Sequence, residues 1–118
     1  MDDREQAELA IVLLSEAEIV AVPLPALCEY AWVLRQAYKR GAAEVAGYIR
    51  NLIDSPNVLT DLPAVEAGLA MLDAGGDFAD GVIAFTGRQL GGAVFASFDR
   101  HAVELIAAAG GETRLPGG

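Results

Sequence analysis

The chain has 118 residues, 53% of them hydrophobic, and its 17 acidic against 8 basic residues give a formal net charge of −9. This hydrophobic content argues against disorder, and the length suits a single domain spanning residues 1–118. No apolar run approaches the ~20 residues of a transmembrane helix, and the acidic residues after Met1 are unlike a signal peptide. One cysteine and one histidine exclude an intramolecular disulfide and a multi-histidine metal site. We therefore expect a small cytoplasmic domain without a membrane segment.

Apolar residues spaced three and four apart predict helices along most of the chain, and short β-branched runs between them predict strands. Pro25 and Pro63 suit first helical turns, and Gly41 suits a helix end. The predicted elements are helix Asp2–Glu16, strand Glu18–Pro23, helix Pro25–Arg40, helix Ala42–Ile53, strand Val58–Thr60, helix Pro63–Leu72, helix Phe78–Leu90, strand Ala93–Ala96, helix His101–Ala109 and edge strand Thr113–Leu115. Strands that alternate with helices predict a parallel central sheet covered on both faces, which is a three-layer α/β/α domain.

Several carboxylates lie at predicted strand-to-helix junctions, and each also has a simpler structural explanation. Glu29 is the only charged residue in its part of the second helix, where it would otherwise be an exposed helix position. Asp77 and Asp80 lie three residues apart at a helix start, where capping and complementing the helix dipole are the alternatives. Asp99 follows a strand and would otherwise cap the next helix.

In a parallel sheet, ligands bind beyond the carboxyl ends of the strands, and these junctions meet at one edge. We therefore expect Glu29, Asp80 and Asp99 to converge there. Like charges repel one another unless a cation neutralises them. Because the candidate ligands are all oxygens, Mg²⁺ or Mn²⁺ is favoured over zinc. The net negative charge itself argues against binding nucleic acid by bulk electrostatics.

Residues 25–35, 75–84 and 95–100 together resemble PIN domains of the VapC toxin type, the ribonuclease half of bacterial toxin–antitoxin pairs. The resemblance covers nearly the whole chain in the same order. It implies a metal-dependent endoribonuclease that hydrolyses RNA phosphodiester bonds, with an RNA substrate, a cognate antitoxin and a homodimer. It further implies that Glu29, Asp80 and Asp99 are the core acids that hold Mg²⁺ or Mn²⁺, that Asp77 is an auxiliary ligand, and that Ser97 assists near Asp99.

The resemblance departs from the family at the start of the chain. Members of the family begin with a central strand that carries an Asp-Thr-Asn-like motif, whereas this sequence begins with the region that follows that strand. Asp2 and Asp3 resemble the acidic start of the first helix rather than the first metal ligand. Without a central strand both neighbouring strands would have an unpaired edge. We then expect an unstable domain, a rearranged sheet or a strand donated by another chain.

Two other functions compete with the ribonuclease. A catalytically impaired PIN-like module would bind protein, either a second copy or an antitoxin, and the departure at the first strand favours it. A receiver-like signalling domain is disfavoured because no acidic pair follows an early strand and no lysine follows a late one. For a homodimer, the candidate interface faces are those of the helices Ala42–Ile53 and Pro63–Leu72.

The remaining chemically active side chains have structural interpretations. We expect His101 to be structural or at the surface, and Cys28 to be a small core residue with no base to activate it. Trp32, Tyr30 and Tyr38 are predicted to pack between helices rather than to stack on bases. The cations that could form a basic rim for RNA are Arg35, Lys39, Arg40, Arg50, Arg88 and Arg100, the first three of which would also complement a helix dipole.

Overall fold

The structure, a computed structural model, describes residues 19–116. The predicted helix Asp2–Glu16 lies outside these residues. The elements are β1 (Val20–Ala21), α1 (Leu24–Gln36), α2 (Ala42–Ile53), β2 (Val58–Leu59), α3 (Leu62–Asp73), α4 (Phe78–Gln89), β3 (Val94–Ala96), α5 (Arg100–Ala108) and β4 (Glu112–Arg114). Every element predicted within the described range is present in the predicted order. None of the helices in this range is long and apolar enough to cross a membrane.

The helix boundaries follow from local chemistry. α1 begins with a proline in its first turn, as predicted. It ends at Gln36 rather than Arg40, because Lys39 adopts a left-handed conformation with φ of 55°. The Arg40 N–H then donates to the Leu34 carbonyl at 2.9 Å, a C-terminal capping bond that turns the chain. Gly41, predicted to end this helix, instead precedes α2 as its N-cap residue.

The strands form two separate parallel pairs. Val20 and Ala21 of β1 lie opposite Val58 and Leu59 of β2, and β3 pairs with β4 over three residues. Each pair is joined by its own helical crossover, α1 and α2 for the first and α5 for the second. The predicted α/β class and parallel pairing are confirmed, whereas residues 19–116 contain two two-stranded sheets in place of one continuous central sheet.

The hydrophobic core lies among α1, α2, α3 and α4. Its largest fully buried side chains are Phe78, Leu27, Ile49, Leu69, Leu72, Val45 and Val65. The apolar residues of α2 and α3 thus pack inside the chain's own core. Much of the apolar face of each helix is therefore used for folding, while Tyr48 and Leu62 stay exposed, and the dimer interface stays a prediction.

α3 and α4 form the most extensive helix–helix contact of the described residues, and two glycines allow their close approach. A Cβ on Gly68 would lie 2.6 Å from the Phe78 ring. A Cβ on Gly81 would collide with the Ala67 carbonyl oxygen and lie 2.7 Å from the Met71 Cβ. Because one of these neighbours is a backbone atom, no side-chain rotation could relieve the clash of a Cβ at position 81.

Gly81→Ala therefore separates α3 from α4 and lowers the free energy of unfolding by about 1–3 kcal/mol, the cost of overpacking. Gly87→Ala is the matched control on α4, because a Cβ there meets no atom within 4 Å. It should raise stability by about 0.5–1 kcal/mol through the helix propensity of alanine. Urea denaturation measures both changes, and equal effects of the two substitutions would contradict the close helix contact.

Candidate metal centre

Three of the predicted acidic residues come together at the starts of two helices. Asp77 and Asp80 lie at the start of α4, and Asp99 lies at the start of α5. Each offers a carboxylate oxygen, and these three oxygens all lie within 4.8 Å of one another. We call this group the carboxylate cluster. Asp77 and Asp80 are three residues apart, and Asp99 joins them from another helix. Of the three acids expected to converge, Asp80 and Asp99 lie in the cluster and Glu29 does not.

Asp99 has a capping role in addition to its place in the cluster. Its Oδ1 accepts hydrogen bonds from the N–H groups of His101 at 2.9 Å and Ala102 at 3.2 Å. The Ser97 hydroxyl oxygen accepts from the Asp99 N–H at 3.0 Å and fixes the turn. Both capping bonds use Oδ1, so Oδ2 takes no part in capping. The structural interpretation of Asp99 is therefore confirmed, and it leaves one carboxylate oxygen for another partner.

Asp77 differs from the other N-cap aspartates of the described chain. It occupies the N-cap position of α4, but its side chain makes no capping hydrogen bond. The carboxylates of Asp61 and Asp99, by contrast, both cap their helices. Asp77 thus occupies the N-cap position, one of the structural alternatives given above, without capping through its side chain, and its exposed carboxylate lies in the cluster.

Asp80 is the most perturbed member of the cluster. Its partial burial raises the pKa of its carboxyl group, and the negative charges of Asp77 and Asp99 raise this pKa further. Within residues 19–116 no basic side chain pairs with the cluster, since the ion pairs there join Arg40 to Glu44 and Arg50 to Asp73. The cluster therefore concentrates negative charge that the described part of the protein does not neutralise.

The loop between α3 and α4 holds the two helix starts together. The His101 Nε2 lies 2.8 Å from the Gly75 carbonyl oxygen, a hydrogen bond that joins α5 to this loop. A Cβ on Gly76 would lie 2.6 Å from the Met71 sulfur and 2.7 Å from Leu105 Cδ1. The loop is thus packed between α3 and α5, and His101 has the structural role that the sequence predicted.

Glu29 lies on α1 with its side chain exposed, outside the carboxylate cluster. Its exposed position agrees with the simpler of its two interpretations, and its role as a metal ligand stays a prediction from the resemblance. Cys28 is half-buried, and its burial raises the pKa of its thiol. A raised pKa disfavours the thiolate, in agreement with a structural role.

Trp32 does not pack in the core as predicted, because its side chain is 63% exposed. Tyr30 and Tyr38 do pack against the core. The sequence contained a usable signal, since Leu27, Ala31 and Leu34 define the buried face of α1. At 100° per residue, position 32 points away from that face. A shallow groove beside Trp32 reaches Asp77 and Asp80 at the start of α4.

Comparisons with protein-family models, with curated proteins and with solved structures found no match for this chain.

The raised pKa of Asp80 has a consequence for stability. A carboxyl group whose pKa is higher in the folded state stabilises the fold below its unfolded pKa of 3.8, and this stabilisation is lost as pH rises through the folded value. In metal-free buffer, Asp80→Asn should therefore gain stability relative to the parent chain as pH rises from 4 to 7. Urea midpoints measured across this range test the effect. A stability difference that does not change with pH would contradict the electrostatic account of Asp80.

Proposed function

We propose that this protein is a metal-dependent endoribonuclease that hydrolyses RNA phosphodiester bonds, of the kind found in VapBC-type toxin–antitoxin modules. The observation that carries the proposal is the carboxylate cluster, in which oxygens of Asp77, Asp80 and Asp99 lie within 4.8 Å of one another. The resemblance of residues 25–35, 75–84 and 95–100 to PIN domains supports the choice of reaction. The three-layer PIN-like fold is part of the same proposal.

The donor set fits a hard divalent cation. Three carboxylates supply oxygen ligands only, and neither His101 nor Cys28 belongs to the cluster, so Mg²⁺ or Mn²⁺ suits the site better than zinc. The unneutralised charge supports the same choice, because a cation would lower the pKa of Asp80 that its neighbours raise. When bound, such a cation supplies Lewis acidity toward a phosphate oxygen and lowers the pKa of a water molecule.

The protein's own groups hold and orient the acidic side chains. The capping bonds of Asp99 and the Ser97 hydroxyl fix the start of α5, while the first turn of α4 carries Asp77 and Asp80. Ser97 thus acts in this proposal by orienting Asp99 rather than by touching RNA. Glu29 enters the proposal through the resemblance alone, as a further ligand from α1. No protein nucleophile is required for hydrolysis by an activated water molecule.

The proposal also includes the expected partners. A VapC-type ribonuclease acts in the cytoplasm, forms a homodimer and is inhibited by a cognate antitoxin. The net charge of −9 suits an antitoxin whose inhibitory segment is basic.

A catalytically impaired protein-binding module is the second candidate, and the strands favour it. Ile19, Leu59 and Val94 are each more than half exposed, and they belong to or adjoin strands that, among residues 19–116, pair along one edge only. Exposed apolar strand edges are surfaces on which another polypeptide can pair. A protein-binding module of this kind would have the same fold but would not hydrolyse RNA, so a cleavage assay distinguishes it from the ribonuclease.

RNA cleavage in the presence of Mg²⁺ or Mn²⁺ tests the proposed function. We expect the chain to cleave single-stranded RNA, EDTA to abolish the activity, and Asp80→Asn and Asp99→Asn to lower it at least about 100-fold, because each removes a charge that holds the cation. Asparagine caps a helix as well as aspartate does, so loss of activity in Asp99→Asn would not come from loss of the cap.

The matched control is Asp54→Asn, which removes the same charge from an exposed position at the end of α2. It should cleave at the rate of the parent chain. Equal activity of Asp80→Asn and the parent would show that the assigned site is wrong. Absence of cleavage by the parent chain with either cation would favour the protein-binding candidate.

A further inference from the structure

A groove lies beside the carboxylate cluster, and most of the residues that line it have no role in the proposed hydrolysis. It lies between α1 and the start of α4, and its α1 wall includes Cys28, Trp32, Arg35 and Gln36. Cys28, Arg35 and Gln36 each lie three or four residues from Trp32, so the four residues share one face of α1. The other wall ends at Asp77 and Asp80, which makes the groove continuous with the cluster.

The groove offers an exposed aromatic ring beside a cation. Trp32 is 63% exposed, although a large apolar side chain gains free energy from burial. Arg35 lies one turn further along the same face and is half-buried. Within residues 19–116 it takes part in neither of the two ion pairs, which use Arg40 and Arg50. Its guanidinium group therefore has no carboxylate partner in the described part of the chain.

The size of the groove limits what it can hold. Its volume is about 90 Å³, well below the roughly 300–1,000 Å³ of pockets that enclose a small-molecule ligand. A free metabolite would stay mostly exposed there. A polymer that places one flat group on the indole and continues across the surface needs no enclosing pocket.

We propose that this groove is a binding subsite for single-stranded nucleic acid, in which Trp32 stacks on a base and Arg35 binds a backbone phosphate next to the carboxylate cluster. Stacking on an aromatic side chain and phosphate contacts from basic side chains such as arginine are two main interactions by which proteins bind single strands. The negative charges of Asp77 and Asp80 at the end of the groove oppose a phosphate there unless a cation is bound. Binding should therefore strengthen when a divalent cation is present.

This inference takes RNA as the substrate from the proposed function, but it is tested by binding rather than by cleavage. Trp32 is the only tryptophan of the chain, so intrinsic fluorescence reports on this position alone. A single-stranded RNA hexamer should quench this fluorescence in a saturable way, more strongly with Ca²⁺ than with EDTA. A hexamer without bases carries the same phosphates and should bind with little quenching.

Variants then separate stacking from charge, with affinity measured by anisotropy of a labelled hexamer. Trp32→Ala should raise Kd by roughly 5- to 150-fold, the range expected for one stacked base, and Trp32→Phe should recover part of the loss. Arg35→Gln should lower the slope of log affinity against log salt by about 0.7, the value for one phosphate contact on a single strand. The controls Leu90→Ala and Arg114→Gln change exposed residues outside the groove and should leave Kd unchanged.

An unchanged Kd in Trp32→Ala, or equal quenching by the hexamer without bases, would overturn the subsite and leave the exposed indole as a surface for a protein partner. The proposed function fails separately. Binding through Trp32 without cleavage by Mg²⁺ or Mn²⁺ would support the subsite and reject the ribonuclease. Conversely, if RNA cleavage is lost in Asp80→Asn while Trp32→Ala leaves KM unchanged, the ribonuclease is supported and the subsite is rejected.

Discussion

The close approach of α3 and α4 is the constraint on which the rest of the structure depends. It requires Gly81 next to the Ala67 carbonyl and Gly68 next to the Phe78 ring. Phe78 is then fully buried, which anchors the first turn of α4. Asp77 and Asp80 flank this anchor in sequence. Their position is thus set by packing, and a glycine contact within the core determines where the charged groups lie.

The same helix pair also determines where Asp99 lies. α3 and α4 are joined by a short loop, and α5 docks on that loop through Leu105 near Gly76 and through the hydrogen bond from His101 to Gly75. Asp99 begins α5, so this docking brings its carboxylate to the start of α4. Burial of Asp80 raises the pKa of its carboxyl group, and the charges of Asp77 and Asp99 raise this pKa further, so gathering the three acids adds an electrostatic cost. Such an arrangement is useful when a cation offsets the repulsion.

Local patterns in the sequence were sufficient to predict most of the secondary structure. The bounds of α2 agree at both ends, because Gly41 and the turn after Ile53 are strong local signals. The convergence of Asp80 and Asp99 was predicted as well, although with Glu29 rather than Asp77 as the third acid. Asp77 and Asp80 follow α3 and not a strand, so the strand-end rule applies directly only to Asp99. The end of α1 was not, because a lysine in a left-handed conformation replaced the expected glycine. The division of the sheet into two pairs depends on long-range pairing that no local pattern encodes.

Side-chain exposure was the less predictable part of the site. Trp32 was interpreted as a packing residue from its type, whereas its position on α1 opposite Leu27, Ala31 and Leu34 indicates an exposed residue. The position within the helix was the better guide. For Glu29 the residue type and the position on the helix agree, because both are those of an exposed surface residue.

The central claim is that the carboxylate cluster binds a divalent cation, and a titration with Mn²⁺ followed by electron paramagnetic resonance tests it most directly. The signal of free Mn²⁺ falls when the ion binds, so the measurement gives both stoichiometry and affinity. The account predicts one saturable site per chain, lost in Asp80→Asn and retained in Asp54→Asn. Absence of saturable binding, or equal binding by the parent chain and Asp80→Asn, would contradict it.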